Sequence, residues 1–223
     1  MRDIAVAATL RAAFRRLACG AGGLPLLAPD LRVRVRRRRE PELVVLLVDA
    51  SDSMGTRERI AAVRAAACAV LARVSVNRRR VAVVAFGGED AWVPLPPTSA
   101  VARARECLER LGTGGATPLS AGLYAAARLI HAERGRTRGA RLLLFTDGEA
   151  NVPLGRGTDC RAEALRLAVA LRREGAGFMA VSVGADRAAA LFLERTASAL
   201  GGVHRSLGRI SAAFVAEAIA GGG

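Results

Sequence analysis

The chain has 223 residues, 52% of them apolar but only 4% aromatic, and its net charge of +14 rests on arginine alone. That is enough chain to bury one α/β core of Val, Leu, Ala and Ile, and not enough for two. No apolar run reaches about 18 residues, which excludes a membrane-spanning helix. The arginines are dispersed and lack interleaved aromatics, which argues against a nucleic-acid surface and for acidic protein partners at long range.

Residues 1–42 read as a lead-in. It holds a helical stretch from Ile4 to Leu17, a Gly/Pro-rich loop from Gly20 to Pro29, and a strand with one arginine face beginning at Arg32. Arg11, Arg15 and Arg16 break up any apolar leader, so export is not expected and the cytoplasm is the expected location. Residues 43–223 are expected to form the main domain. Strand Leu43–Asp49 leads to a helix from about Arg57 to Val74, then strand Arg80–Phe86 turns through Gly87–Asp90 into an extended piece, Ala91–Leu95. Helices at Ser99–Leu111 and Pro118–Ala132 flank a glycine loop. Strand Arg141–Thr146, helix Cys160–Glu174, strand Phe178–Val183, helix Ala188–Leu200, a short strand near Val203–Leu207 and a helix Ile210–Ala220 complete the series. Strands alternating with helices imply a doubly wound, mainly parallel sheet with helices on both faces and one antiparallel edge strand from the hairpin. Cys19, Cys68, Cys107 and Cys160 form no CxxC pair, so zinc is not expected and the thiols are read as buried and free.

Three segments carry chemistry. The apolar run Leu43–Val48 stops in Asp49, Ser51 and Ser53, a carboxylate and two hydroxyls at alternate positions. Arg141–Thr146 ends in Asp147, with Gly148 permitting a sharp exit, and the glycine loop Thr113–Ala116 delivers Thr117. Open α/β sheets place ligands at the carboxyl ends of their strands. Asp49, Ser51, Ser53, Thr117 and Asp147 are all oxygen donors with two charges among them, a set suited to a hard cation such as Mg2+. His131 and His204 lie away from this pattern and are expected to be surface or capping residues, so no base is at hand to turn Ser51 or Ser53 into a nucleophile. Glu149 is expected to complement a helix N-terminus. No catalytic residue is assigned.

Asp49-x-Ser51-x-Ser53, Thr117 in its glycine loop and Thr146-Asp147-Gly148 resemble the metal-ion-dependent adhesion site of von Willebrand factor A domains. The surrounding stretches narrow the likeness. Leu95-Pro96-Pro97-Thr98, Gly114-Gly115-Ala116-Thr117-Pro118-Leu119 and Thr146-Asp147-Gly148-Glu149-Ala150-Asn151 resemble the carboxyl-terminal half of the magnesium chelatase D subunit. That likeness implies a non-catalytic, Mg2+-dependent interaction subunit of an ATP-driven chelatase that inserts Mg2+, or Co2+ in the related cobalt enzyme, into a tetrapyrrole. Its implied partners are an AAA+ ATPase subunit and a large porphyrin-binding subunit, in a ring matching the ATPase. The alternative is a stand-alone partner of a MoxR-type AAA+ ATPase. Two departures stand out. The chain has no Gly-x-x-x-x-Gly-Lys-Ser/Thr loop, so the ATPase-like module of the D subunit is missing from it. Asp52 occupies the family's usual glycine position and is expected to face solvent rather than add charge beside the metal.

Overall fold

The computed structural model describes residues 4–18, 26–32, 41–54, 57–76, 79–155 and 159–207. The chain divides into two compact units, Met1–Arg39 and Glu40–Gly223. The expected Gly20–Gly23 joint, the arginine strand beyond Arg32 and the helix Ile210–Ala220 lie outside the described residues.

In the first unit, helix α1 (Val6–Ala18) is tied to the turn Ala28–Asp30. Arg16 Nη2 donates to Asp30 Oδ2 at 2.9 Å, and the Leu27 amide donates to the same oxygen at 3.0 Å. The Arg16 guanidinium, then the Leu27 N–H, holds the Asp30 carboxyl below its ordinary range.

The second unit holds a six-stranded sheet: β1 (Leu43–Asp49), β2 (Arg80–Gly87), β3 (Asp90–Thr98), β4 (Ala140–Thr146), β5 (Gly177–Ser182) and β6 (Val203–Ser206). The spatial order is β3-β2-β1-β4-β5-β6, parallel throughout except for β3, which pairs antiparallel with β2. Helices α2 (Arg57–Val76), α3 (Val101–Arg110), α4 (Leu119–Ala132), α5 (Cys160–Arg172) and α6 (Arg187–Ala199) cover it. The expected fold class is therefore the one observed, with element boundaries moved by a few residues.

Every residue of β1 is buried, which is what a central strand covered on both faces requires. Its side chains alternate between two cores. Leu43, Val45 and Leu47 pack with Leu119, Leu123, Phe192 and Leu193 of α4 and α6, and Val44, Leu46 and Val48 pack with Val63, Val70, Leu71 and Leu108 of α2 and α3. Asp159 and Asp186 cap α5 and α6, accepting from the amides of Arg161 at 2.9 Å and Ala189 at 2.7 Å. At the amino-terminal end of the sheet, Glu42 binds Arg79 at 2.7 Å and Arg141 at 3.6 Å, while Arg80 donates to Glu133.

The chain runs outward from β1 through β2 to β3 on one side, and from β4 through β5 to β6 on the other. The winding thus reverses between β1 and β4. The crevice beyond the carboxyl ends of those two strands is where this architecture receives ligands.

Candidate metal centre

Asp49 ends β1 and is 3% exposed. Its Oδ1 accepts from the Ser51 amide at 3.0 Å and the Ser51 hydroxyl at 2.5 Å, and its Oδ2 accepts from the Thr146 hydroxyl at 2.6 Å. Burial nevertheless pushes its pKa up to about 6, outweighing these donors, and the charge of Asp147 adds to the rise. A carboxylate so placed gains from any cation brought near it.

The hydroxyls continue from there in a line. Ser51 Oγ lies 2.8 Å from Ser53 Oγ, which lies 3.3 Å from Thr117 Oγ1. The turn Asp52–Met54 that presents Ser53 is pinned by Met54, buried in the α2/α3 core. Two backbone bonds dock the glycine loop on this turn: Gly114 N–H to the Ala50 carbonyl and Asp52 N–H to the Gly115 carbonyl, both 2.8 Å. The Asp52 carboxylate adds a third, accepting from the Gly115 amide at 2.7 Å. Asp52 is exposed, as expected, yet it does more than face water: it latches the loop that carries Thr117.

Asp147 follows β4 and is also buried. Gly148 turns the chain away at φ 87°, where a Cβ would meet that of Ala189 at 2.9 Å. Asp147 Oδ1 accepts from the Glu149 amide at 3.0 Å, and Oδ2 lies 3.9 Å from Arg59 Nη1. That same nitrogen donates to the Ser53 carbonyl at 3.2 Å, so Arg59 ties Asp147 to the serine turn. Asp49, Ser51, Ser53 and Thr117 form one hydrogen-bonded chain, and Asp147 joins it through Arg59 and through its charge on Asp49.

Oxygens sharing an octahedral cation at a metal–oxygen distance of 2.0–2.1 Å lie about 2.8–3.0 Å from one another. The Ser51–Ser53 spacing of 2.8 Å is of that size, and the Ser53–Thr117 spacing of 3.3 Å is a few tenths of an ångström wider. Among the described residues no three or more His, Cys, Asp or Glu side chains gather as a metal group. A cation placed here would be held largely by hydroxyls, a donor set that favours a hard ion over a thiolate- or imidazole-seeking one.

Several supporting residues escape a reading of the sequence. Thr146 clamps Asp49 while accepting from the Gly148 amide at 3.1 Å. Asn151 holds the Thr117 backbone, and Arg59 bridges to Asp147. Thr146 and Asn151 stand inside the quoted Thr-Asp-Gly-Glu-Ala-Asn stretch, whereas nothing in the local pattern marks Arg59. Glu149 starts no helix, since the described residues 149–155 are not helical and α5 begins only at Cys160. His204 is half-buried and its Nε2 lies 2.9 Å from Ser182 Oγ, so it is a bonded core-edge residue rather than a surface one. Exposed His131 sits 3.4 Å from Glu174. Cys68, Cys107 and Cys160 are free and half-buried, and burial raises the first two thiols. Cys19 lies outside the described residues.

Residues 44–149, which contain all five oxygen donors, match the von Willebrand factor type A domain. These residues form a von Willebrand factor type A domain. Solved structures agree at the level of fold: the domain of the type V pili tip protein Mfa5 from Porphyromonas gingivalis superposes with TM-score 0.66 at 13% identity, over 81% of this chain and 94% of that one. The von Willebrand factor type A structure from Catenulispora acidiphila gives 0.60 at 22% identity, over 84% of this chain and 42% of that one. In sequence the chain is 44% identical over 154 residues to the uncharacterized protein Rv2850c of Mycobacterium tuberculosis, 67% of this chain and 24% of that one. It is also 34% identical over 184 residues to the magnesium-chelatase 60 kDa subunit of Cereibacter sphaeroides, 78% of this chain and 32% of the subunit. The magnesium-chelatase 67 kDa subunit of Chlorobaculum parvum shares 34% over 141 residues, 62% of this chain and 22% of the subunit. The chain thus spans less than a third of the length of these curated relatives. No helix among the described residues is long and apolar enough to cross a membrane.

Proposed function

We propose that this chain is a non-catalytic, Mg2+-dependent docking module of an ATP-driven magnesium chelatase in tetrapyrrole biosynthesis. Asp49, Ser51, Ser53, Thr117 and Asp147 would hold the ion, some of them through water. Mg2+ bound there would act as a Lewis acid able to take up a carboxylate of a partner. The protein residues do the rest: Thr146 and Ser51 orient Asp49, Asn151 fixes Thr117, and Arg59 steadies Asp147. The partners are an AAA+ ATPase subunit and a porphyrin-binding subunit, and the porphyrin chemistry belongs to the latter.

The observation that carries this reading is the run of three hydroxyls, Ser51, Ser53 and Thr117, leading away from buried Asp49 with spacings of 2.8 and 3.3 Å. A hydrolytic serine is ordinarily activated by a histidine, and no histidine is a described hydrogen-bond partner of Ser51 or Ser53. Their described partners are instead one another, Asp49 and Thr117. The likeness to chelatase subunits supplies the biological setting, and the net charge of +14 suits acidic partner surfaces.

The test is capture of cell proteins on the immobilised chain, with Mg2+ and with chelator. An AAA+ ATPase retained only with Mg2+, and lost on Asp49→Ala or Asp147→Ala, is the expected result. Metal-dependent capture that survives both substitutions would overturn the coordination scheme. Capture of a MoxR-type ATPase would keep the scheme and move the module to another machine.

A further inference from the structure

On the α3 side of the sheet, a groove of about 720 Å³ opens between β3 and α3. One wall carries Trp92, Pro94 and Leu95 of β3, and the other carries Arg103 and Arg110 of α3. Its inner end is formed by Ala50 and Gly114, so the groove begins one residue beyond Asp49 and shares the docked glycine loop with the candidate metal centre. Trp92 is the only tryptophan in the chain, and it is 43% exposed. A large aromatic side chain left open in a concave, apolar-walled groove is the usual mark of a binding surface.

The sequence of the β3 wall limits what can lie there. β3 is an edge strand, and an unpaired edge can recruit another strand through its main-chain groups. Here Pro94, Pro96 and Pro97 remove three N–H donors from the nine residues of β3, and the β2–β3 register shifts twice. An added strand would find no continuous ladder. The occupant must be held by side chains.

Charge says which side chains. Arg103 is exposed and has no ion-pair partner among the described residues. Arg110 is paired at 2.8 Å with Glu106 one turn earlier, but both are well exposed, and such a pair exchanges readily for a better partner. A nucleic acid would want a row of aromatic platforms, where this groove has one, and would meet Glu106 with its phosphates.

We propose that the groove receives an extended acidic segment of a protein partner. A bulky apolar residue of the segment packs on Trp92, Pro94 and Leu95, and an aspartate or glutamate pairs with Arg103. In the docking reading proposed above, on which the partner's identity rests, this is the same partner chain continuing past the Asp49 turn. Two weak contacts on one chain then act together, with gains set by effective concentration rather than by either contact alone.

Trp92 makes the test direct, because its emission reports on this groove alone. The whole chain is titrated with short synthetic peptides of Asp and Glu around a single central Leu, in chelator and in Mg2+. A saturable blue shift in chelator, lost when the Leu is replaced by Ser or the acids by Lys, is the expected result. Arg103→Glu should weaken it about tenfold, and Asp49→Ala should leave the chelator titration unchanged. No saturable shift with any peptide overturns the proposal, as does a shift indifferent to Arg103→Glu. A shift seen only with Mg2+ and abolished by Asp49→Ala would assign the binding to the metal centre instead and overturn the groove. A shift on concentrating the protein alone would give the surface to a second copy of the chain, and a shift with an oligonucleotide but no peptide would give it to nucleic acid. Either outcome rejects the proposal while leaving the Mg2+-dependent reading untouched.

Discussion

Asn151 grips Thr117 by both of its backbone groups: the Thr117 amide donates to Asn151 Oδ1 at 2.6 Å, and the Asn151 amide donates to the Thr117 carbonyl at 3.2 Å. A side chain thus does what a strand partner would otherwise do, and it fixes a loop hydroxyl from the far side of the crevice. Asn151→Ala strands the buried Thr117 N–H and should cost about 1–3 kcal/mol in a urea titration. Asn151→Asp keeps the acceptor and should recover most of that loss. Equal losses for both variants would refute the assignment.

Asp49 is costly to the metal-free protein. Its carboxyl titrates higher when folded than when unfolded, so at neutral pH, above both values, its charge opposes folding. Asp49→Asn keeps an acceptor for Ser51 and turns the Thr146 hydroxyl into an acceptor for the new amide. It should stabilise the metal-free protein by about 2 kcal/mol, seen as a higher Tm in chelator. On adding Mg2+ the parent should gain Tm, and the same variant should not.

Asp52 latches the glycine loop through the Gly115 amide. Because the bond is exposed, Asp52→Ala should cost only about 1 kcal/mol. The discriminating measurement is hydrogen exchange: the Gly115 amide should exchange faster, while amides in β1 and β4 keep their rates.

Gly122 lies where α4 comes down on the sheet, and a Cβ there would meet Phe86 Cδ1 at 2.7 Å and Leu47 Cδ1 at 3.2 Å. Alanine would gain about 1 kcal/mol of helix propensity, against about 1–3 kcal/mol for overpacking a filled core. Phe86 is fully buried and cannot swing aside, so overpacking wins. Gly122→Ala should lower the urea midpoint.

Asp30 gives the first unit a pH dependence. Its folded pKa is depressed, so its contribution is present above the unfolded value of 3.8 and is lost as pH falls through the lower folded value. The Leu27 amide, which donates to Asp30, reports this by NMR. Its midpoint should fall below 3.8 in the parent and move up toward 3.8 in Arg16→Ala.

Strand and helix order was legible because central strands such as Leu43–Val48 are apolar without interruption, and because polar turns interrupt the chain between elements. The five oxygen donors were legible because each follows a strand or sits in a glycine loop, positions that the winding of the sheet forces together. Arg59 was hidden because its partners, Ser53 and Asp147, come near only after folding. His204 was misjudged for the same reason, since Ser182 reaches it across the pairing of β5 with β6. Asp52 illustrates another limit: exposure says nothing about whether a carboxylate is in use.

Asp49 and Asp147 leave the sheet from β1 and β4, which run side by side in register at its middle. Tension applied there would travel lengthwise along two adjoining strands flanked by others on either side. A pull along the strands on both acids at once loads the outer pairings with β2 and β5 in shear, whereas a pull that spreads the acids peels β1 from β4 one bond at a time from their carboxyl ends. The rim is thus stiff toward a load along the strand axis and yielding toward one across it.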